Sequence, residues 1–128
     1  MAFLDSSVII DYLTGVDTVV EYVDDQPRLV TSALCVYEVL EGEVLGSGET
    51  DIAGARQHFG RVRAVGFDES VALEAAHLQD RLAQQGSPLP TYDLLVAASA
   101  RSEGETLVVR DDDFETEPLA DLMAVRRL

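Results

Sequence analysis

Short apolar segments alternate with helical runs along the whole chain, and this alternation constrains the fold most. The apolar segments, which we predict to be strands, are residues 2–4, 28–31, 62–67, 106–109 and 122–125. Helical runs separate them, and these cover residues 8–13, 16–24, 33–45, 50–59, 69–86 and 92–102. Strands joined through helices form βαβ units, whose parallel strands are covered by helices on both faces. We therefore expect an α/β fold with a mainly parallel central sheet flanked by helices.

Residues that favour helix N-caps precede several of these runs. Ser6 and Ser7 can cap the first helix, Ser32 the helix that starts at residue 33, and Asp68 the long helix after it. Thr91 can cap the helix over residues 92–102. A hydroxyl or carboxylate at such a position accepts a hydrogen bond from a free backbone N–H of the first turn. These residues therefore set the expected helix starts.

Length and composition indicate one compact domain covering residues 1–128. The chain has 128 residues, of which 47% are hydrophobic, enough for one core. Its apolar runs are far shorter than the ~20 residues of a membrane helix, and we expect no contact with a membrane. Cys35 is the single cysteine, so no internal disulfide forms. Together with the lack of a visible secretory signal, this predicts a cytoplasmic protein.

The charge balance is unusual. The sequence has 24 acidic and nine basic residues, a formal net charge of −15, and every basic residue is arginine. Such a surface repels phosphate, which argues against simple electrostatic binding of nucleic acid. Concentrated salt screens the repulsion between carboxylates, with a Debye length of ~3 Å at 1 M. We therefore interpret the charge as an adaptation to a salt-rich, halophilic cytoplasm.

Acidic residues follow two of the predicted strands. Asp5 comes directly after the first strand, and Asp111 and Asp113 follow the strand that ends at Val109. Ligands of open parallel sheets bind at the carboxyl ends of the strands, so these acids are expected at one edge of the sheet. Three acids in a row are expected about once by chance at this composition. Position, not number, therefore selects them, and a solvated loop is the alternative for residues 111–113.

Two further acids lie in apolar helical surroundings. Glu38 follows Leu34 by one turn and borders the apolar face, where an ionised carboxylate is costly unless a cation or donor meets it. Asp93 lies in the first turn of an apolar helix, where it can also simply stabilise the helix dipole. A ring of Asp5, Glu38 and Asp93 with Asp111 or Asp113 would offer only oxygen ligands. Such ligands suit Mg²⁺ or Mn²⁺ and disfavour zinc.

Four segments, taken in order, resemble the PIN-domain ribonucleases, and among them the VapC toxins of VapBC toxin–antitoxin pairs. The segments are residues 3–11 (FLDSSVIID), 32–42 (SALCVYEVLEG), 89–98 (LPTYDLLVAA) and 107–114 (LVVRDDDF). The resemblance implies a Mg²⁺-dependent endoribonuclease that cleaves phosphodiester bonds with water activated by a carboxylate-bound metal ion. Its catalytic and metal-binding acids would be Asp5, Glu38, Asp93 and Asp111 or Asp113.

The resemblance also implies supporting residues and partners. Ser6 matches the hydroxyl that follows the first acid, and would bond to a metal ligand or to water at the metal. Independently of the resemblance, the position of Arg110 next to the acids suggests that it steers the RNA backbone, although an ion pair with a nearby acid is equally expected. The implied partners are an RNA substrate, a cognate VapB-type antitoxin and a second copy of the chain in a homodimer.

One departure and three alternative readings accompany this resemblance. The family commonly has threonine where this chain has Val109, and its missing hydroxyl keeps open a catalytically weak PIN-like module that binds RNA or protein. A receiver domain needs a lysine, and the sequence has none. A haloacid-dehalogenase-type phosphatase needs Asp-x-Asp after the first strand, but Ser6 and Ser7 follow Asp5.

Overall fold

The sheet of the computed structural model, which describes residues 2–128, has five strands and is entirely parallel. The strands are β1 (Ala2–Leu4), β2 (Leu29–Ser32), β3 (Arg63–Val65), β4 (Thr106–Val109) and β5 (Val125–Arg127). They lie in the order β3-β2-β1-β4-β5. The predicted α/β class with a parallel central sheet is confirmed.

Helices connect and cover the strands. Within residues 2–128 they are α1 (Ser6–Leu13), α2 (Asp17–Asp25), α3 (Ala33–Leu45), α4 (Ile52–Gln57), α5 (Glu69–Gln84), α6 (Thr91–Ser102) and α7 (Glu117–Ala120). No helix in this part of the chain is both long and apolar enough to cross a membrane.

Successive side chains of the central strands pack into two hydrophobic cores, one on each face of the sheet. Phe3 of β1 joins the core that contains Leu78 of α5 and Ala97 of α6. Leu4, the next residue, joins the opposite core with Ile9 of α1 and Val19 of α2. Successive residues of a strand point to opposite faces, so a fully apolar strand is buried on both sides. This explains why the central strands read as continuous apolar runs.

The strand order places a crevice beside β1. The chain moves from β1 to β2 and β3 in one direction, and then adds β4 and β5 on the other side of β1. Connections therefore diverge between β1 and β4. Open parallel sheets bind ligands at such a switch point, outside the carboxyl ends of the strands. The loops after β1 and β4 are those that carry Asp5, Asp111 and Asp113.

Two predicted N-caps are confirmed and two are wrong. Ser32 accepts a hydrogen bond from the Leu34 N–H, and Asp68 accepts one from the Val71 N–H. Ser6 and Ser7 lie inside α1, whose N-cap is Asp5, but the carboxylate of Asp5 makes no capping hydrogen bond. Thr91 is likewise the first residue of α6, after Pro90, and does not cap it. Pro90 takes the N-cap position of α6 instead, and its extended backbone conformation suits that position.

Several element bounds differ from the prediction near the sheet edges. Strand β5 begins at Val125 instead of residue 122, because its later residues are exposed arginines that carry no apolar signal. The short helix α7 precedes it and was not predicted, although Thr116 caps it by accepting from the Leu119 N–H. Strand β3 covers only residues 63–65, and α4 only residues 52–57. The edge strands are polar or short, so alternation of apolar residues defines them poorly.

Candidate active site

A pocket of about 220 Å³ opens at the carboxyl ends of β1 and β4. It is lined by Asp5, Ser6, Ser7, Ile10, Glu38, Tyr92, Asp93, Asp111 and Asp113. All five acids predicted from the sequence, and Ser6, therefore face one cavity. We call this cavity the acidic pocket.

Asp5 forms the floor of the acidic pocket and is firmly held. Its backbone N–H donates to the carbonyl of Val108 at 3.0 Å, which ties the end of β1 to β4. The Ser7 hydroxyl donates to Asp5 Oδ2 at 2.8 Å. Only 6% of the residue is exposed. The carboxylate is therefore fixed in place by its own local hydrogen bonds.

Burial makes the charged form of Asp5 costly. The pKa of the Asp5 carboxyl rises from 3.8 to about 6, mainly because burial removes the carboxylate from water. The hydrogen bonds from Ser7 and from the backbone of Ser6 oppose this rise. The negative charges of Asp111 and Glu38 add to it. A bound cation would remove this penalty by neutralising the group.

Asp93 enters the acidic pocket from the first turn of α6. It is half-buried, and burial is the largest cause of the raised pKa of its carboxyl. The negative charges of Asp113, Asp111 and Glu38 raise that pKa further, in this order. Asp5 and Asp93 thus both feel the repulsion of the same acids. The pocket carries concentrated negative charge that its own side chains do not neutralise.

Glu38 reaches the acidic pocket from α3, but not for the reason expected from the sequence. The prediction assumed a partly desolvated glutamate beside the apolar face of the helix. The residue is exposed, so burial imposes no such cost on it. Glu38 therefore lies at the rim, where it lines the pocket and still contacts water.

The loop after β4 places two of its three consecutive acids at the acidic pocket. Asp111 and Asp113 both line the acidic pocket, whereas Asp112 does not. The Asp113 backbone N–H donates to Asp111 Oδ1 at 3.1 Å, so the loop folds back on itself. The choice between Asp111 and Asp113 stays open, because both are placed at the pocket.

Arg110 lies outside the acidic pocket. Its Nε donates to Asp11 Oδ2 at 2.7 Å, and its guanidinium also donates to the carbonyl of Leu128 at 3.0 Å. Of the two expected arrangements, the structure contains the ion pair. Val109, where threonine is usual, is fully buried in the core with Ala97 and Leu107, and it does not line the pocket.

Sequence reasoning missed three lining residues. Ser7 was considered only as a helix cap, although a hydroxyl two residues after an acid can hydrogen-bond to it. Ile10 lies one turn beyond Ser6 on α1, and this spacing could have identified it. Tyr92 had no sequence signal beyond its position before Asp93. Its hydroxyl lies 3.8 Å from the Sγ of buried Cys35, a thiol whose pKa burial raises to about 11.

The lining residues fit a hard divalent cation. Every side chain of the pocket that can bind a metal offers a carboxylate or hydroxyl oxygen, and no arginine or histidine lines the pocket. Within residues 2–128, no three Asp, Glu, His or Cys side chains are already close enough to one point to hold an ion. The fit therefore rests on the chemistry of the donors and on the raised pKa values of Asp5 and Asp93.

Known proteins are similar to this chain in sequence and in fold. The chain is 25% identical over 105 residues to the tRNA(fMet)-specific endonuclease VapC of Salmonella typhimurium, across 77% of this chain and 80% of that protein. The DNA-bound VapBC structure from Salmonella typhimurium superposes with a TM-score of 0.83 at 20% identity, covering 98% of this chain and 96% of that one. VapBC-5 of Mycobacterium tuberculosis gives 0.70 at 27% identity, with coverage of 99% and 98%.

The family model for the PIN domain matches residues 2–116, which include all five strand-end and helix acids of the acidic pocket. The match thus extends over most of the chain and over the whole candidate site. By sequence and by fold, this chain belongs to the PIN domain family.

Proposed function

We propose that the protein is a metal-dependent endoribonuclease and the toxin of a type II toxin–antitoxin pair. The observation that carries this proposal is the acidic pocket itself, in which five carboxylates and no basic side chain meet at the switch point of the sheet. A relative with 25% identity is named a tRNA-specific endonuclease, which supports RNA as the substrate class.

The acids divide into two groups by their environment. Asp5 and Asp93, whose pKa values are raised, would hold Mg²⁺ or Mn²⁺, and Glu38, Asp111 and Asp113 would complete its surroundings directly or through water. When bound, the cation supplies Lewis-acid polarisation of the phosphate and a lowered pKa of water. The chain's own part is to hold Asp5 in one orientation through Ser7, with Ser6 beside it. A carboxylate at the rim, such as Glu38, can accept a proton from the attacking water.

Neutralisation by a cation also resolves a conflict in the charge of the protein. The free pocket repels RNA phosphate, and the net charge of −15 adds to this repulsion. A divalent ion inverts the local field, so that the same acids favour a phosphate at the site. RNA binding is therefore proposed to require the cation.

Two protein partners follow from the family. The superposed structures from Salmonella typhimurium and Mycobacterium tuberculosis are VapBC assemblies, which supports a VapB-type antitoxin as the partner of this chain. A homodimer is proposed on the same family grounds. Contact of Arg110 with RNA would require its ion pair with Asp11 to open, so we assign it a structural role first.

Cleavage of total RNA by the purified protein tests the proposal. The wild type is compared with Asp5→Asn and with Asp112→Asn, a matched change at an acid outside the acidic pocket, in Mg²⁺, in Mn²⁺ and in EDTA. We expect discrete fragments from the wild type and Asp112→Asn in the presence of either metal, and none from Asp5→Asn. Cleavage that persists in EDTA or in Asp5→Asn would reject the proposed site.

The main alternative is a PIN-like module that binds RNA or protein without cleaving it. The same experiment separates the two functions. A folded protein that binds Mn²⁺ but cuts no RNA would favour the binding module, and Val109→Thr would then test whether the missing hydroxyl limits catalysis.

A further inference from the structure

A second cavity, of about 470 Å³, adjoins the acidic pocket between α3 and α6. It is lined by Leu34, Tyr37, Glu38, Glu41 and Tyr92. We call it the tyrosine cavity. Glu38 and Tyr92 line both cavities, so the two share one wall. Anything that occupies the tyrosine cavity therefore lies directly beside the group held by the acids.

The two tyrosines of this cavity present large apolar surface to water. Tyr37 is 65% exposed and Tyr92 is 37% exposed. Tyr92 is held by its hydroxyl, which contacts the Sγ of buried Cys35 at 3.8 Å. An aromatic ring that is fixed at one end and open to solvent is a ready stacking surface, because binding costs it little conformational entropy.

The charged groups of the tyrosine cavity are acceptors of hydrogen bonds. Glu38 and Glu41 are its charged residues, and no arginine or histidine lines it. Burial, and after it a hydrogen bond from its hydroxyl to Glu38, raises the pKa of Tyr92, and a hydrogen bond from the Tyr37 hydroxyl to Glu41 raises the pKa of Tyr37. A phosphate would be repelled from such a cavity. A flat, uncharged ring that carries N–H donors is its chemical complement.

We propose that the tyrosine cavity binds one nucleobase of the RNA substrate, the base next to the cleaved phosphodiester bond. The base stacks on Tyr37 and Tyr92 and donates its N–H groups to the carboxylate of Glu41, which lines only the tyrosine cavity. This inference rests on the proposed nuclease function and specifies a substrate subsite for it.

The connectivity of a nucleotide supports this placement. A base is separated from its phosphate by one sugar, so a phosphate in the acidic pocket places its base in the space immediately beside it. That space is the tyrosine cavity, because Glu38 and Tyr92 border both. The amino groups of guanine, adenine and cytosine are donors that uracil lacks, so the Glu41 carboxylate favours these three bases over uracil.

The test uses steady-state cleavage of a short single-stranded RNA whose cut position has been mapped. Wild type, Tyr37→Ala and Tyr37→Phe are compared, with Leu45→Ala as the control. Leu45 is 77% exposed on the same helix and lines neither cavity. Stacking of a base on an aromatic residue contributes about 1–3 kcal/mol, which corresponds to roughly 5- to 150-fold in affinity. We therefore expect Tyr37→Ala to raise KM about tenfold with little change in kcat, and Tyr37→Phe to restore KM.

An abasic nucleotide beside the cut provides the second half of the test. It removes the proposed partner of Tyr37, so it should raise KM for the wild type by a similar factor. For Tyr37→Ala, which already lacks the stacking ring, it should raise KM little further. Uracil at this position should raise KM relative to guanine. The base subsite is overturned if the wild type cleaves RNA but the abasic nucleotide and Tyr37→Ala raise KM additively, or if neither change alters KM. Either result leaves the nuclease proposal intact.

Failure of the nuclease proposal is recognised separately. If the wild type cleaves no RNA in Mg²⁺ or Mn²⁺, binding of a fluorescently labelled single-stranded RNA that contains all four bases is measured in Ca²⁺ by fluorescence anisotropy. Weaker binding by Tyr37→Ala, rescued by Tyr37→Phe, would support the base subsite in a protein that does not cleave. Equal binding by all variants, or a loss only of binding to a protein partner, would overturn it.

Discussion

Among single residues, Asp5 is a buried carboxylate whose charged form is costly and which the Ser7 hydroxyl holds in place. It is 6% exposed, yet its carboxyl has only the Ser7 hydroxyl as a side-chain hydrogen-bond donor. A buried acid kept beside four other acids is better explained by the ligand that they bind.

The first prediction concerns the pH dependence of folding without metal. Because the pKa of Asp5 is about 6 in the folded chain and 3.8 for a free carboxyl, the folded state binds this proton more tightly. The free energy of unfolding therefore falls as pH rises from about 4 to 6, by up to about 3 kcal/mol. In EDTA at pH 7, Asp5→Asn should recover much of this loss. Urea unfolding across this pH range measures it, and a less stable Asp5→Asn protein would contradict the burial cost.

A second prediction concerns the hydroxyl that holds Asp5. Ser7 lowers the pKa of the Asp5 carboxyl by donating to Oδ2 at 2.8 Å. Ser7→Ala should therefore raise that pKa above about 6, because a hydrogen bond to a charged group contributes about 1.5–3 kcal/mol. Carbon-detected NMR titration of Asp5 measures the shift, and Ser7→Thr, which keeps a hydroxyl, is the control. An unchanged pKa in Ser7→Ala would show that the hydroxyl does not stabilise the charge.

At the scale of elements, the sequence predicted best where burial was strongest. Strands β1 and β4 and helix α3 have the predicted bounds, because apolar residues define them from end to end. The edges were predicted poorly: β5 is displaced, and α7 was missed because four residues give too little periodicity. Three of the acids were predicted from strand ends and two from their place in apolar helices. Tyr92 and the ion pair of Asp11 depend instead on contacts that only the folded chain creates.

The third prediction concerns the loop after β4. Arg110 joins this loop to α1 through Asp11 and to the last residue of the chain through the Leu128 carbonyl. Both partners of the ion pair are more than two-thirds buried, so it contributes about 1 kcal/mol at most after desolvation. Asp11→Asn should loosen residues 110–113 and speed their hydrogen exchange. Glu115→Gln, which breaks the more exposed pair with Arg127, should leave them unchanged. Equal exchange in both variants would contradict a positioning role for Asp11.

For the molecule as a whole, repulsion among its many carboxylates is the main electrostatic effect. The chain carries −15 overall, and its five ion pairs within residues 2–128 engage only a minority of the 24 acids. The remaining carboxylates repel one another and destabilise the compact state at low salt. The parallel sheet and its two cores hold the pocket together against this repulsion. Binding of a divalent cation relieves it where it is most concentrated.

The fourth prediction follows from this repulsion. Raising KCl from about 0.1 M to 1 M shortens the Debye length from about 10 Å to 3 Å, so the urea midpoint of unfolding should rise. The increase should shrink near pH 4, where many carboxylates are protonated. A midpoint that is insensitive to salt near pH 7 would contradict both the repulsion and the interpretation of the charge as an adaptation to salt.

Whether the acidic pocket cleaves RNA is tested by the single-turnover rate at which one mapped RNA is cut in saturating Mg²⁺. Asp93→Asn is compared with Asp112→Asn, because both remove one charge but only Asp93 lines the acidic pocket. We expect a loss on the order of 100-fold or more for Asp93→Asn and a rate close to that of the wild type for Asp112→Asn. Equal rates for the two variants would contradict this expectation, because RNA would then be cut without the acids of this pocket.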